Sequence, residues 1–211
     1  RHQELSAFFS RMAWTANLSG TFSMSMIFHL LPRLMVDLGI PAGEHGGLIM
    51  SCRICVLVTY TLLYCSTFWH YRFYVPTATQ LLAIAGLLIV VVAQTTWQLG
   101  IGLVGMGVLV GYNYFASLYY STAGGTTKQQ GLVSGIHEAS LAFGFALGSV
   151  AGGVFAWQAE RLSHALPATL IQRSPYVLAA AVMAVLLVLQ LWMYSRRRSE
   201  MRAKRLSLGD C

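Results

Sequence analysis

Glu138 lies in the apolar run Gly131-Leu-Val-Ser-Gly-Ile-His137-Glu138-Ala-Ser, and Arg53 in the run Met50-Ser-Cys-Arg53-Ile-Cys-Val-Leu. Charge inside a membrane-spanning helix is costly, so it faces a protein interior or an aqueous path and marks function by default. A carboxylate such as Glu138 can take up and release a proton. A guanidinium stays charged in proteins, so Arg53 is a fixed positive charge suited to an anionic group and cannot carry protons. His137, next to Glu138, can share that proton or donate to a neighbouring carbonyl. These residue types fit movement of a solute across a membrane, with Glu138 as the coupling acid.

Enzymatic readings of the same residues fail on spacing. His137-Glu138 begins like H-E-x-x-H, but position 141 is Leu, so the second zinc ligand is missing. The string Gly131-Leu-Val-Ser134-Gly135 approaches an intramembrane serine-protease motif but is one residue too long. His137 follows that serine on the same helix, where it cannot approach from a facing element as a base. Cys52 and Cys55 form C-x-x-C in mid-helix, whereas a redox dithiol needs an exposed, electropositive setting, so they read as small packing residues. There is no phosphate loop and no haem or iron–sulfur spacing. Neither enzymatic activity nor a cofactor or metal is expected.

The elements that must position these charges are membrane spans. Hydrophobic residues make up 56% of the chain and charged residues 10%, against about 25% charged in a soluble domain. Six apolar stretches are long enough to cross about 30 Å of hydrocarbon as helix. They run over Ser6–Leu31, Gly46–Phe68, Val75–Ala93, Trp97–Ala123, Leu132–Trp157 and Ser174–Tyr194. A chain of 211 residues is too small to bury six such helices in a soluble core. The expected fold is all-α and integral to the membrane, one six-helix bundle over residues 1–195 followed by a basic tail over 196–211.

Basic residues set the orientation. Arg1, Arg11, Arg72, Lys128 and the tail Arg196, Arg197, Arg198, Arg202, Lys204 and Arg205 fall on one side, and only Arg33, Arg161 and Arg173 on the other. The positive-inside rule places both termini in the cytoplasm. The location implied is a cytoplasmic, or inner, membrane crossed many times. The net charge of +7 is thus mainly a topology signal. The tail suits anionic lipid headgroups; nucleic acid is not an expected partner. Trp69, Tyr71, Trp97, Trp157, Trp192 and Tyr194 sit at span ends, as in an aromatic belt. No cleavable leader is recognised at the start, and a beginning at Arg1 rather than Met reads as a processed product or a piece of a longer protein.

Helical geometry then sorts the polar residues. At about 1.5 Å per residue, Glu138, Asn113, Trp14 and Asn17 share a layer on the cytoplasmic side of the midplane, while Arg53 lies toward the outside. Direct pairing of Arg53 with Glu138 within these six spans is not expected. At about 100° per residue, Trp14, Asn17, Thr21 and Ser25 align on the first span and Arg53, Tyr60 and Tyr64 on the second. Asn113, Ser117 and Tyr120 align on the fourth, and Ser134, Glu138 and Ser149 on the fifth, with His137 nearer to the glycines. The third span, the most aliphatic, is expected to face lipid. Asn17 and Asn113 have an ordinary alternative as interhelical glue, and the glycines Gly107, Gly111, Gly144, Gly148 and Gly152, at small-xxx-small spacing, as packing positions.

The fifth span, Gly144-Phe-Ala-Leu-Gly148-Ser149-Val-Ala-Gly152-Gly153, resembles the G-x-x-x-G-P-x-x-G-G pattern of major facilitator superfamily transporters, with Ser149 where proline is usual. The segments Ala13-Trp14-Thr-Ala-Asn17 and Leu31-Pro32-Arg-Leu-Met-Val-Asp37-Leu-Gly39-Ile40-Pro-Ala-Gly-Glu-His-Gly46 are similar to the seventh helix of that family, its following loop and the start of the eighth. First halves of these transporters typically carry G-x-x-x-D-R-x-G-R between helices two and three. Ser66-Thr67-Phe68-Trp69-His70-Tyr71-Arg72-Phe73 stands there without its Asp or Gly, which favours the second half. The resemblance implies helices seven to twelve of a secondary transporter, with the first, second, fourth and fifth spans lining a cavity. It implies a second six-helix half as partner, from the same chain, a second copy or another subunit, and a small solute of unidentified chemistry. The rival is a stand-alone six-helix subunit that scaffolds membrane proteins without transport.

Overall fold

The computed structural model describes residues 2–124, 130–162 and 168–209. Lys128, Arg1 and Cys211 lie outside the described residues, as do the side chains of Arg202, Lys204 and Arg205. The described chain is all helical: α1 (His2–Asp37), a single 3-10 turn (Ala42–Glu44), α2 (His45–Tyr64), α3 (Tyr74–Val92), α4 (Thr96–Gly124), α5 (Gln130–Leu162) and α6 (Ala168–Gly209). All but α1 are both long and apolar enough to cross a membrane. α1 has the length but carries Ser6, Ser10, Asn17, Ser19, Thr21, Ser23 and Ser25, all buried, on its inward sides. Five spanning candidates around one more polar central helix make this a multi-pass membrane architecture.

Several ends differ from the sequence expectation. α1 continues through Pro32, and it stops where Gly39 turns left-handed at φ 68°. Ile40 N–H then donates to Met35 O at 2.9 Å and Gly39 N–H to Val36 O at 3.0 Å, closing the end as a Schellman motif. The expected outer loop over 158–173 is largely helix, and α6 runs on into the basic tail. Arg173, from α6, donates to Val91 O and Ala93 O at 2.7 and 3.0 Å, satisfying carbonyls at the end of α3.

The main packing pairs are α1 with α4, α5 and α6, α4 with α2 and α3, and α3 with α6. This set is unchanged when α1, α2 and α3 exchange places with α4, α5 and α6. Contacts between α1 and α4 run in opposite senses, Ser6 meeting Tyr120 and Gly20 meeting Asn113. The two triplets therefore have equivalent packing partners, with α1 and α4 antiparallel.

Small residues set the close crossings, because apolar helices in lipid gain little from simply hiding apolar area and must pack tightly instead. A Cβ at Gly107 would lie 2.5 Å from Cys52 O, and one at Gly111 2.9 Å from Thr59 Cβ, at the α4–α2 seam. On the α5–α1 seam a Cβ at Gly144 would collide with Thr21 and one at Gly148 with the Phe22 carbonyl. Gly152 has ordinary clearance, 3.7 Å from Met26. Ser149 shares a 2.8 Å hydrogen bond with Ser25, whose hydroxyl also donates to Phe145 O at 2.9 Å. α3 does present Leu81, Leu82, Leu88 and Val92 outward, but its other side is buried against α4 and α6.

Near the termini an aromatic cluster forms the second part of the core. Trp69 is buried in it, and its ring N–H donates to Leu63 O and Ser66 O, both at 2.9 Å. Tyr71 adopts φ 54°, held by its N–H donating to Tyr120 Oη at 2.9 Å. His70 stacks on Tyr119 at 4.3 Å, and loss of hydration pushes its imidazole below the usual value, so it stacks as the neutral ring. Arg197 pairs with Glu4 at 3.0 Å, which ties α6 to the start of α1 at one end of the bundle.

Between α3 and α6, Gln80 Nε2 donates to Gln190 Oε1 at 2.6 Å, with both residues buried. Replacing Gln190 alone by Leu leaves the Gln80 amide only its longer, 3.3 Å bond to Pro76 O, and thermal unfolding in detergent should show a loss of about 1 kcal/mol. The double Gln80→Leu/Gln190→Leu variant should regain most of it, because two apolar partners leave no orphan. Simply additive losses would mean that the two amides do not interact.

Candidate functional site

His137, Gly144, Gly148 and Gly152 are the buried positions of α5 among those described, spaced to form one stripe against α1. That stripe fixes which way the other α5 side chains point. With the glycines inward, Glu138 is turned out, 65% exposed. His137 is instead driven between α1 and α4, with no exposed surface.

There it closes a three-helix polar cluster. Ser117 Oγ lies 2.7 Å from His137 Nδ1, and Asn17 Nδ2 lies 3.2 Å from the same nitrogen. Asn17 Nδ2 also donates to Ser117 Oγ at 3.0 Å, and Ser117 donates to Tyr114 O at 3.0 Å. Asn17 Nδ2 can only donate, so Nδ1 accepts from it and the ring proton is left on Nε2, while the single Ser117 hydroxyl proton serves either Nδ1 or Tyr114 O. Nε2 lies 3.7 Å from Glu138 Oε1, close enough for attraction but beyond hydrogen-bond reach. The cluster thus ties α1, α4 and α5 together and presents a ring N–H toward an outward-facing carboxylate.

An aromatic path continues the layer sideways. Tyr114 meets the His137 ring edge-on at 5.0 Å and stacks on Tyr60 of α2 at 5.9 Å. Arg53 is exposed two turns earlier on α2, its guanidinium 5.4 Å above the Phe28 ring of α1. This is within cation–π range. Arg53 and Glu138 are not paired with each other; the one lies over Phe28 and the other beside His137. Tyr64, aligned with them, is 82% exposed.

Asn113 and Trp14 stand apart. Asn113 is buried, and among the described residues neither amide atom has a hydrogen-bond partner. It borders a cavity lined also by Met12, Ala16, Tyr112 and Tyr120, with room for about one water. Trp14 is half-buried one turn before Asn17, and its ring N–H has no partner among the described residues. The structure therefore joins Asn17 to His137 and leaves Asn113 out of that network. Ser117 and Tyr114 are the additions. Both were visible as polar α4 residues, but only the angle at which α5 crosses α1 reveals that His137 reaches them. No three His, Cys, Asp or Glu side chains converge as a metal set among the described residues.

The fold and site together define a helical bundle with several membrane-crossing helices and a polar layer open on one side. Comparison of the chain with family models, curated proteins and solved structures finds no match.

Proposed function

We propose that this chain is the C-terminal six-helix half of a major facilitator-type secondary transporter, with all six helices crossing a cytoplasmic membrane and both termini in the cytoplasm. The observation that carries the reading is Glu138, a carboxylate 65% exposed on an otherwise apolar spanning helix. Lipid is a poor neighbour for it. A second bundle across a hydrated cavity is a good one. The exchange of α1–α3 with α4–α6 supports the same reading, since halves of such transporters are built from inverted triplets.

In this reading α1, α2, α4 and α5 line the path, and the two halves rock about a midplane site. A carboxyl group holds its proton in apolar surroundings and releases it when hydrated. Glu138 would therefore load and unload as the cavity opens to either side, beside the His137 ring N–H. Arg53 would meet an anionic group, from the solute or from the second half.

The test is labelling of a single cysteine at Ala142, which is exposed one turn beyond Glu138. In membranes holding the whole transporter, Ala142→Cys should react with a membrane-impermeant maleimide added from either side, because alternating access exposes the site both ways. Val188→Cys, on the outer face of α6, should stay silent. Reaction from one side only, or from neither, would favour the static scaffold instead.

A further inference from the structure

An open groove lies outside the polar layer. It holds about 590 Å³ between the start of α3 and the distal part of α6, at the end of the bundle where the chain termini meet. Its inner wall is the Phe73–Tyr194 pair, stacked at 4.0 Å with the rings 5° from parallel. Arg72 stands at its mouth, with Nη1 donating to Tyr74 Oη at 3.0 Å. Toward the membrane centre the wall becomes apolar at Ala78 and Leu81, the latter 54% exposed. Arg198 follows Tyr194 by one helical turn and is also exposed, so a second cation stands on the same face. The nearby acids are engaged elsewhere: Glu4 and Glu200 lie 3.0 and 3.6 Å from Arg197.

We propose that this groove binds one anionic phospholipid, the headgroup phosphate at Arg72 and Arg198 and an acyl chain along Ala78 and Leu81. Charge complementarity selects the anion, because Arg72 at the mouth and Arg198 one turn beyond Tyr194 both carry guanidinium groups, which hold phosphate in a planar fork. The apolar floor selects a lipid over a soluble phosphate, which would leave Leu81 and the stacked rings uncovered. Tyrosine hydroxyls at the rim suit the headgroup level. The site needs a membrane around the bundle but does not depend on whether the chain transports anything.

The intact chain in detergent, titrated with phosphatidylglycerol and observed by native mass spectrometry, tests this. Phosphatidylglycerol should be retained in preference to phosphatidylcholine. Arg72→Gln should weaken retention about fivefold, the share of one interfacial arginine. Arg72 is exposed, so its loss should leave the melting temperature unchanged; Arg198→Gln, on a different helix, should weaken retention in the same sense. Equal retention of the two lipids, or unaltered phosphatidylglycerol binding in both variants, would overturn the site. Displacement of the lipid by millimolar inorganic phosphate would show a soluble-anion site and overturn the lipid assignment.

Discussion

Glu138→Gln is expected to abolish proton-driven accumulation while leaving the protein folded and able to exchange solute. The amide has the size of the carboxyl but can neither bind nor release a proton near neutral pH. The fold should tolerate it, because Glu138 is 65% exposed and His137 makes its hydrogen bonds to Ser117 and Asn17 through the other ring nitrogen. One proton per solute across a gradient of about one pH unit sustains about a tenfold concentration ratio when no membrane potential is present. Vesicles carrying the whole transporter and a solute found by uptake screening should show that ratio for the wild type and none for the variant. Infrared titration gives a readout independent of the solute: one protonated-carboxyl band should vanish in Glu138→Gln. Accumulation at the wild-type level in a folded Gln variant would reduce Glu138 to a structural residue.

Gly148→Leu should be the most damaging single change to the fold. A Cβ at position 148 would already collide with the Phe22 carbonyl and would lie 3.0 Å from Ser25 Cβ. Backbone cannot swing aside as a flexible side chain can, so the leucine forces α5 away from α1. Overpacking of this kind costs about 1–3 kcal/mol or more, equivalent to a fall of several degrees in the melting temperature at roughly 2–4 °C per kcal/mol. Separation of the helices should also break the Ser25–Ser149 bond. Gly153→Leu is the matched control, since nothing lies within 4 Å of a Cβ there and the position is exposed. Fluorescence-detected size exclusion after heating compares them directly. Equal melting of the two variants would mean that α5 does not sit on α1 as described.

Much of this arrangement is legible in the residues alone. Gly144 and Gly148 lie in an unbroken helical stretch at a spacing that only close packing explains, and the charge at Glu138 falls on a different side of the same helix. Long apolar runs gave the helices and their order. Their ends were less readable: Pro32 suggests a break, yet α1 passes through it, because a proline removes one N–H and the left-handed Gly39 is the stronger stop. Trp69 resembles an interface anchor in sequence and is a core residue in space, since its ring N–H finds Leu63 O and Ser66 O within its own turn. The Asn17–Ser117–His137 cluster was hidden for another reason. Three helices meet there from distant parts of the chain, and no local periodicity encodes which of them cross.

Those distances in sequence bear on how the protein is made. α1 buries the most polar side chains of the described helices, and the groups that satisfy it arrive late. Asn17 waits for Ser117 and His137, 100 and 120 residues downstream, and Ser25 waits for Ser149, 124 residues downstream. At about 5–20 residues per second of synthesis, α1 is finished roughly 5–25 s before α4 and α5 exist to cover it. Its serines can turn back onto their own helix in the interval, as Ser19 does onto Ala16 O at 2.9 Å, but the Asn17 amide has no such local outlet among its bonds here. The first of these six helices is thus sheltered in full only once the fifth has been made.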